Sequence, residues 1–169
     1  GFRVYDIAGI DNKGISQRII TAPFSDLGHR AHVPSEQATC MALATTQPVA
    51  PQRNQGELMR ETNREQPFHP VYNYAFVTDA SEGLIVVNIN TFADGEPRNN
   101  KLQRALTWNP DDTLKGARDI IVAGSTLYII ADAGLLVVDA DDPLAPQLQR
   151  VVPLKDARAA ALQFRYLLV

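Results

Sequence analysis

The chain has 169 residues, 45% of them hydrophobic, enough apolar material for one or two packed domains. Its 16 Lys and Arg against 19 Asp and Glu leave a formal charge of −3, and the basic residues are dispersed, which argues against a nucleic-acid surface. No apolar run approaches the ~18 residues of a membrane helix, so no span is expected in this segment. The single cysteine, Cys40, excludes an internal disulfide.

In chain order, the first element is GFRVYDIAGI at residues 1–10: a glycine, alternating apolar residues, then Asp. QRIITAP at 17–23 is a second short apolar segment. QATCMALA at 37–44, YAFVTDASEGL at 74–84, GLIVVNINTF at 83–92 and KLQRALTW at 101–108 follow. The same four phrases then return as GARDIIVAG at 116–124, LYIIADAGL at 127–135, GLLVVDADDP at 134–143 and LQRVVPL at 148–154. DARAAALQF at 156–164 and FRYLLV at 164–169 begin the cycle once more. Every element is short, apolar or β-branched, and bounded by Gly, Pro, Asp or Asn, so all read as strands. Labelled A (GARDIIVAG), B (LYIIAD), C (GLLVVD) and D (LQRVVPL), they form a four-strand cycle, which is the content of one propeller blade.

The set ARDIIV, YIIAD and GLLVVDADDP resembles the bacterial LVIVD-repeat β-propeller family, over most of the chain outside the insertions. The expected fold is therefore all-β: a β-propeller segment made of four-stranded antiparallel blades with loop insertions. Residues 1–169 are expected to form a partial propeller. Full blades lie at about 37–108 and 116–154, and half blades at 1–23 and 156–169. The resemblance implies a periplasmic, cell-surface or extracellular setting. Some proteins of this type look like partners of, or fusions with, multihaem cytochromes.

Two full blades and two complementary halves do not make an ordinary ring. One chain closing on itself gives three blades, against the roughly 4–8 usual for propellers. Two chains joined head to tail give six. A piece of a longer polypeptide, with the other blades or domains elsewhere, is the favoured arrangement, because raw strand edges in an isolated protein aggregate.

Insertions vary where specific function sits on rigid scaffolds. Residues 45–70, rich in Pro, Gln, Asn, Arg and Glu, expand the first A-to-B turn into an arm. Within it GELMRETNRE can form about two helical turns, with Glu57 and Glu61 one turn apart. The arm reads equally as a strap over an adjacent blade and as a docking element for a protein partner. The 24–36 insertion contains HRAH, and His29 and His32 at that spacing can share a metal on a helical turn. Asp26 is the nearest third ligand, so hydrogen-bonded loop histidines are the expectation. Residues 93–100 read as an exposed turn. Cys40 lies in an A strand and reads as an inert structural thiol.

Asp139, Asp141 and Asp142 in DADDP resemble the start of a calcium loop. They lack its downstream Gly and bidentate Glu, and the C-to-D turn explains them better. Arg118 and Arg158 begin successive A strands, with Thr39 at that place in the first copy, and Asp79 and Asp132 end successive B strands. D-to-A and B-to-C connections share one propeller face, so these four are expected near the mouth of the central channel. They read there as inter-blade pairs or as an anion and polar-ligand site.

There is no GxSxG, HExxH, P-loop, Rossmann or CxxCH motif. No cofactor is predicted from the residues. Calcium, or contact with a neighbouring haem through His29, His32 or His69, is the weak candidate. The leading expectation is a non-catalytic interaction scaffold in a large extracytoplasmic bacterial protein, with a multihaem electron-transfer assembly as its implied company. The alternative is an enzyme or small-ligand binder with its site at the channel mouth. Expected partners are other blades or domains, or a second copy of the chain.

Overall fold

Each apolar phrase pairs with the next one along the chain. The computed structural model describes residues 1–4, 31–44, 69–92 and 100–169. The first four-stranded antiparallel sheet contains β3 (Ala38–Leu43), β4 (Tyr74–Asp79), β5 (Gly83–Asn88) and β6 (Gln103–Trp108), in that spatial order. The second contains β7 (Asp119–Ala123), β8 (Thr126–Ala131), β9 (Gly134–Asp139) and β10 (Gln147–Val152), again in chain order. A two-stranded sheet of β11 (Ala161–Gln163) and β12 (Tyr166–Leu168) repeats the first half of the pattern. The fold is all-β, built from consecutive meanders with the blade pattern of a propeller, and the described residues contain short 3-10 turns but no α-helix.

At the other end β1 (Phe2–Arg3) pairs antiparallel with β2 (His32–Val33), a segment that the sequence reading assigns to an insertion. The expected D segment at 17–23, most of the arm at 45–70, and His29 lie outside the described residues. So do Asp26 and most of the 93–100 turn.

The burial pattern explains the composition of the strands. In β4 and β5 nearly every residue is buried, because both faces of this sheet are covered. Phe76, Leu84 and Val86 face the second sheet, where Leu127, Ile129 and Leu136 meet them. Ala75, Val77, Ile85 and Val87 face the other way, toward Val33, with Phe2 and Val4 packed against them. The outer strand β6 instead alternates exposed and half-buried residues. A strand covered on both sides reads as a continuous apolar run, and one covered on a single side alternates. Leu114, in the connection between the sheets, is fully buried in the same core as Phe76. Its N–H is held by Asn109 Oδ1 at 2.9 Å.

The glycine that opens each C strand has a steric reason. Gly83 has φ +89°, and a Cβ there would lie 2.7 Å from Asn109 Cβ and 2.9 Å from the Trp108 carbonyl oxygen. Gly134 has φ +114°, and its Cβ would collide with the Val152 carbonyl. The C strand begins where the end of the D strand crosses it closely, and only glycine fits both the left-handed backbone and that approach.

Candidate functional site at the inner ends of the blades

The D-to-A and B-to-C connections do meet. Gly116 N–H donates to the Ala80 carbonyl in the first blade's B-to-C turn at 2.8 Å, and Asp132 N–H donates to the Lys115 carbonyl at 3.1 Å. Here lie three of the four residues expected at the channel mouth.

Asp79 and Asp132 are not equivalent. Asp79 is the last residue of β4 and pairs with Gly83 across a three-residue turn. In the second blade it is Ala131 that pairs with Gly134, across a two-residue turn, so Asp132 occupies the turn itself. One residue of offset reverses the side chain's direction. Asp79 is fully buried and accepts three backbone N–H groups, from Gln37 at 2.6 Å and from Ser81 and Glu82 at 2.8 Å each. Burial alone would push its carboxyl up. The N–H donors of Glu82, Ser81 and Gln37 outweigh that and hold it below the usual carboxylate range. Asp132 points outward, with its side chain 63% exposed, and pairs with the Arg118 guanidinium. Arg118 Nε also donates to the Gly116 carbonyl at 3.0 Å. Arg118 is thus tied to its own blade on two sides.

Arg158 is exposed. It lines an open groove of about 410 Å³ with Leu154, Lys155, Asp156 and Val169. The structure brings Arg118 and Asp132 together, turns Asp79 into the fold, and leaves Arg158 at a surface.

Residues outside that foursome do the fastening between blades. Asp119 Oδ1 accepts the Cys40 thiol at 3.3 Å from the first blade, and Asp119 Oδ2 accepts the Ala160 N–H at 2.7 Å from the following hairpin. Thr39, at the place of the A-strand arginine, sits in a bulge between Ala38 and Cys40 and donates to the Ala117 carbonyl at 2.9 Å. Burial and the adjacent Asp119 carboxylate push the Cys40 thiol up, which suits a structural thiol better than a nucleophile. Only the aspartate of GARD, absent from the other two A copies, marked this position in the sequence.

A second cluster pins the entry to the first blade. Arg104 pairs with Glu82 and donates to the Pro34 carbonyl and to Thr107 Oγ1, while Glu82 Oε1 accepts the Glu36 N–H at 2.9 Å. The Arg104 guanidinium holds the Glu82 carboxyl below its usual range.

The remaining candidates are engaged in turns and strands. His69 Nδ1 accepts the Val71 N–H at 3.2 Å, and Nε2 meets Asp141 Oδ1 at 3.1 Å, linking the end of the arm to the second blade's C-to-D turn. His32 lies in β2 opposite Arg3. Asp139 and Asp142 accept the N–H groups of Asp141 and Leu144 at 2.9 and 3.0 Å, as turn-forming side chains do. Among the described residues no group of three or more His, Cys, Asp or Glu could hold a metal ion, and no helix is long and apolar enough to cross a membrane.

Comparison with known proteins agrees with this architecture. No curated protein and no solved structure matches the chain significantly. The family model for the LVIVD repeat matches residues 72–91, which hold the β4–β5 hairpin, and residues 116–152, which hold the whole second sheet. The chain carries the LVIVD repeat, a β-propeller-associated repeat, at both places.

Proposed function

We propose that this chain is a non-catalytic propeller module that serves as a protein-interaction scaffold in an extracytoplasmic bacterial setting. The supporting observation is how the polar groups at the inner ends are used. Asp79 is saturated by backbone donors, and Arg118 is held by Asp132 and Gly116. Large apolar side chains are also exposed on the described strands and turns, among them Met41, Leu43 and Leu144. Such side chains on a rigid sheet array suit protein contacts better than polar chemistry. The arm at 45–70 is a second docking element in this reading. The extracytoplasmic setting and the company of a multihaem assembly rest on the family resemblance.

One observation favours the alternative, a small-ligand site. Arg158 is exposed beside Lys155 in the groove, where its guanidinium fork can take an anion. Calorimetric titration with inorganic phosphate separates the two. The scaffold reading expects no saturable binding, with Arg118→Ala lowering stability alone. Saturable binding that Arg158→Ala abolishes overturns it in favour of a ligand site.

A further inference from the structure

The D strands are the outermost of their sheets, and both break step with the C strand at one place. Among the described residues β6 and β10 each pair on one side only. In the first blade Arg104 stands opposite Val87 and Leu106 opposite Val86, so Ala105 is left over. In the second, Leu148 stands opposite Val138 and Arg150 opposite Val137, so Gln149 is left over. Val86 and Val137 hold the same place in their C strands, counted from Gly83 and Gly134, as do Val87 and Val138. One extra residue thus sits at the same point of the outer strand in both blades.

The inner pairings do not ask for it. The ladders β4–β5, β7–β8 and β8–β9 run unbroken. The ladder β3–β4 is interrupted at Thr39, but there the hydroxyl reaches the Ala117 carbonyl of the next sheet. Ala105 has no polar side chain for such a contact, and both Ala105 and Gln149 are exposed. The two blades share the place of the extra residue and not its type, so what repeats is the backbone irregularity itself. An edge strand offers a row of free N–H and C=O groups on which another strand can pair, and a bulge breaks that row and twists it. Here the bulge divides each outer edge into runs of two and three residues, Gln103–Arg104 and Leu106–Trp108, or Gln147–Leu148 and Arg150–Val152. Both runs fall short of the about 5–6 residues of an ordinary strand.

We propose that the two bulges close the outer edges of the blades to strand addition, whether by a second copy of the chain or by an extended peptide. Val151 and Val152 at the end of β10 are half-buried apolar residues that would suit a straight, pairing edge, and the bulge beside them removes that option. The device stands apart from the scaffold reading and holds equally for a ligand-binding propeller. It directs any partner to the faces and connections of the blades and away from their outer strands.

The test uses the full polypeptide. Deleting Gln149 straightens β10 while every other residue of the strand keeps its present C-strand partner. In sedimentation velocity the parent is expected to hold one assembly state as concentration rises, and the deletion variant to grow in mass. Gln147→Lys added to the deletion variant should reverse the growth, because a lysine on an edge opposes pairing and would not rescue a misfolded chain. A labelled peptide of the β10 sequence, QLQRVV, is the second probe. Its anisotropy should rise saturably with the deletion variant and stay unshifted with the parent. Saturable binding of the peptide to the parent overturns the proposal, and that measurement needs no variant to fold. A folded deletion variant that keeps the parent's assembly state and ignores the peptide overturns it too. Deleting Ala105 puts the same question to the first blade should the Gln149 deletion unfold the chain.

Discussion

The two four-stranded sheets share strand order and a common core, yet they are fastened by different residues. In the first blade the B-to-C turn has three residues and carries Asp79 inward. In the second it has two, and Asp132 faces outward to Arg118. The first blade also holds its entry segment through Arg104 and Glu82, and the second blade has no glutamate at the corresponding turn. A repeat therefore preserves where strands go while leaving each turn free to choose its own polar chemistry. One residue of turn length decides whether an aspartate is a buried cap or a surface ion.

The largest expected effect falls on what the blades share. Gly134→Ala forces a Cβ against the Val152 carbonyl at φ +114°, and should cost at least about 3 kcal/mol in denaturant unfolding. If it costs less, the close crossing of C and D strands is looser than described. Asp79→Ala removes the acceptor of three N–H groups and should cost about 2–4 kcal/mol. Arg104→Ala should cost about 1–2 kcal/mol and open the Pro34–Glu36 segment to amide exchange first. Asp132→Ala should cost under about 1 kcal/mol, because its pair with Arg118 is largely exposed. Equal losses for Asp79→Ala and Asp132→Ala would erase the distinction between the two turns.

Acid sharpens the same contrast. Asp79 and Glu82 have folded pKa values below their unfolded ones. Their stabilisation is complete above the unfolded carboxylate range and is lost as pH falls through the lowered folded values, below about pH 4. Thermal melts should drop there, and Asp79→Asn should flatten the drop. A wild-type melting temperature unchanged on acidification contradicts the capping role.

The strand cycle was legible because the phrase from Gly to Asp or Asn marks each C strand, and the both-sided burial of B and C strands writes itself as YAFV and LIVV. Register was less legible. The LQR triplets at 102–104 and 148–150 look equivalent. In the fold Gln103 pairs with Asn88, while Gln147, two residues before Gln149, pairs with the corresponding Asp139. Period-two strands tolerate such a slip because it keeps the same face inward. The pairing of Phe2–Arg3 with His32–Val33 left no pattern, since two residues are too few to alternate. The contacts of Asp119 join positions 79 and 41 residues apart, and no local spacing reports them.

Asp119 has a consequence for how such an array melts. Repeat arrays are commonly treated as sums of unit stabilities and nearest-neighbour couplings. Here a single carboxylate serves β3 of the first blade through Cys40 and the segment leading into β11 through Ala160. Detaching the last hairpin frees one oxygen of that group and loosens the geometry of the other. The coupling between the first two blades then depends on whether the third is in place. Three successive units become one cooperative block, and opening of the β11–β12 hairpin should stop at this residue or pass through it all at once.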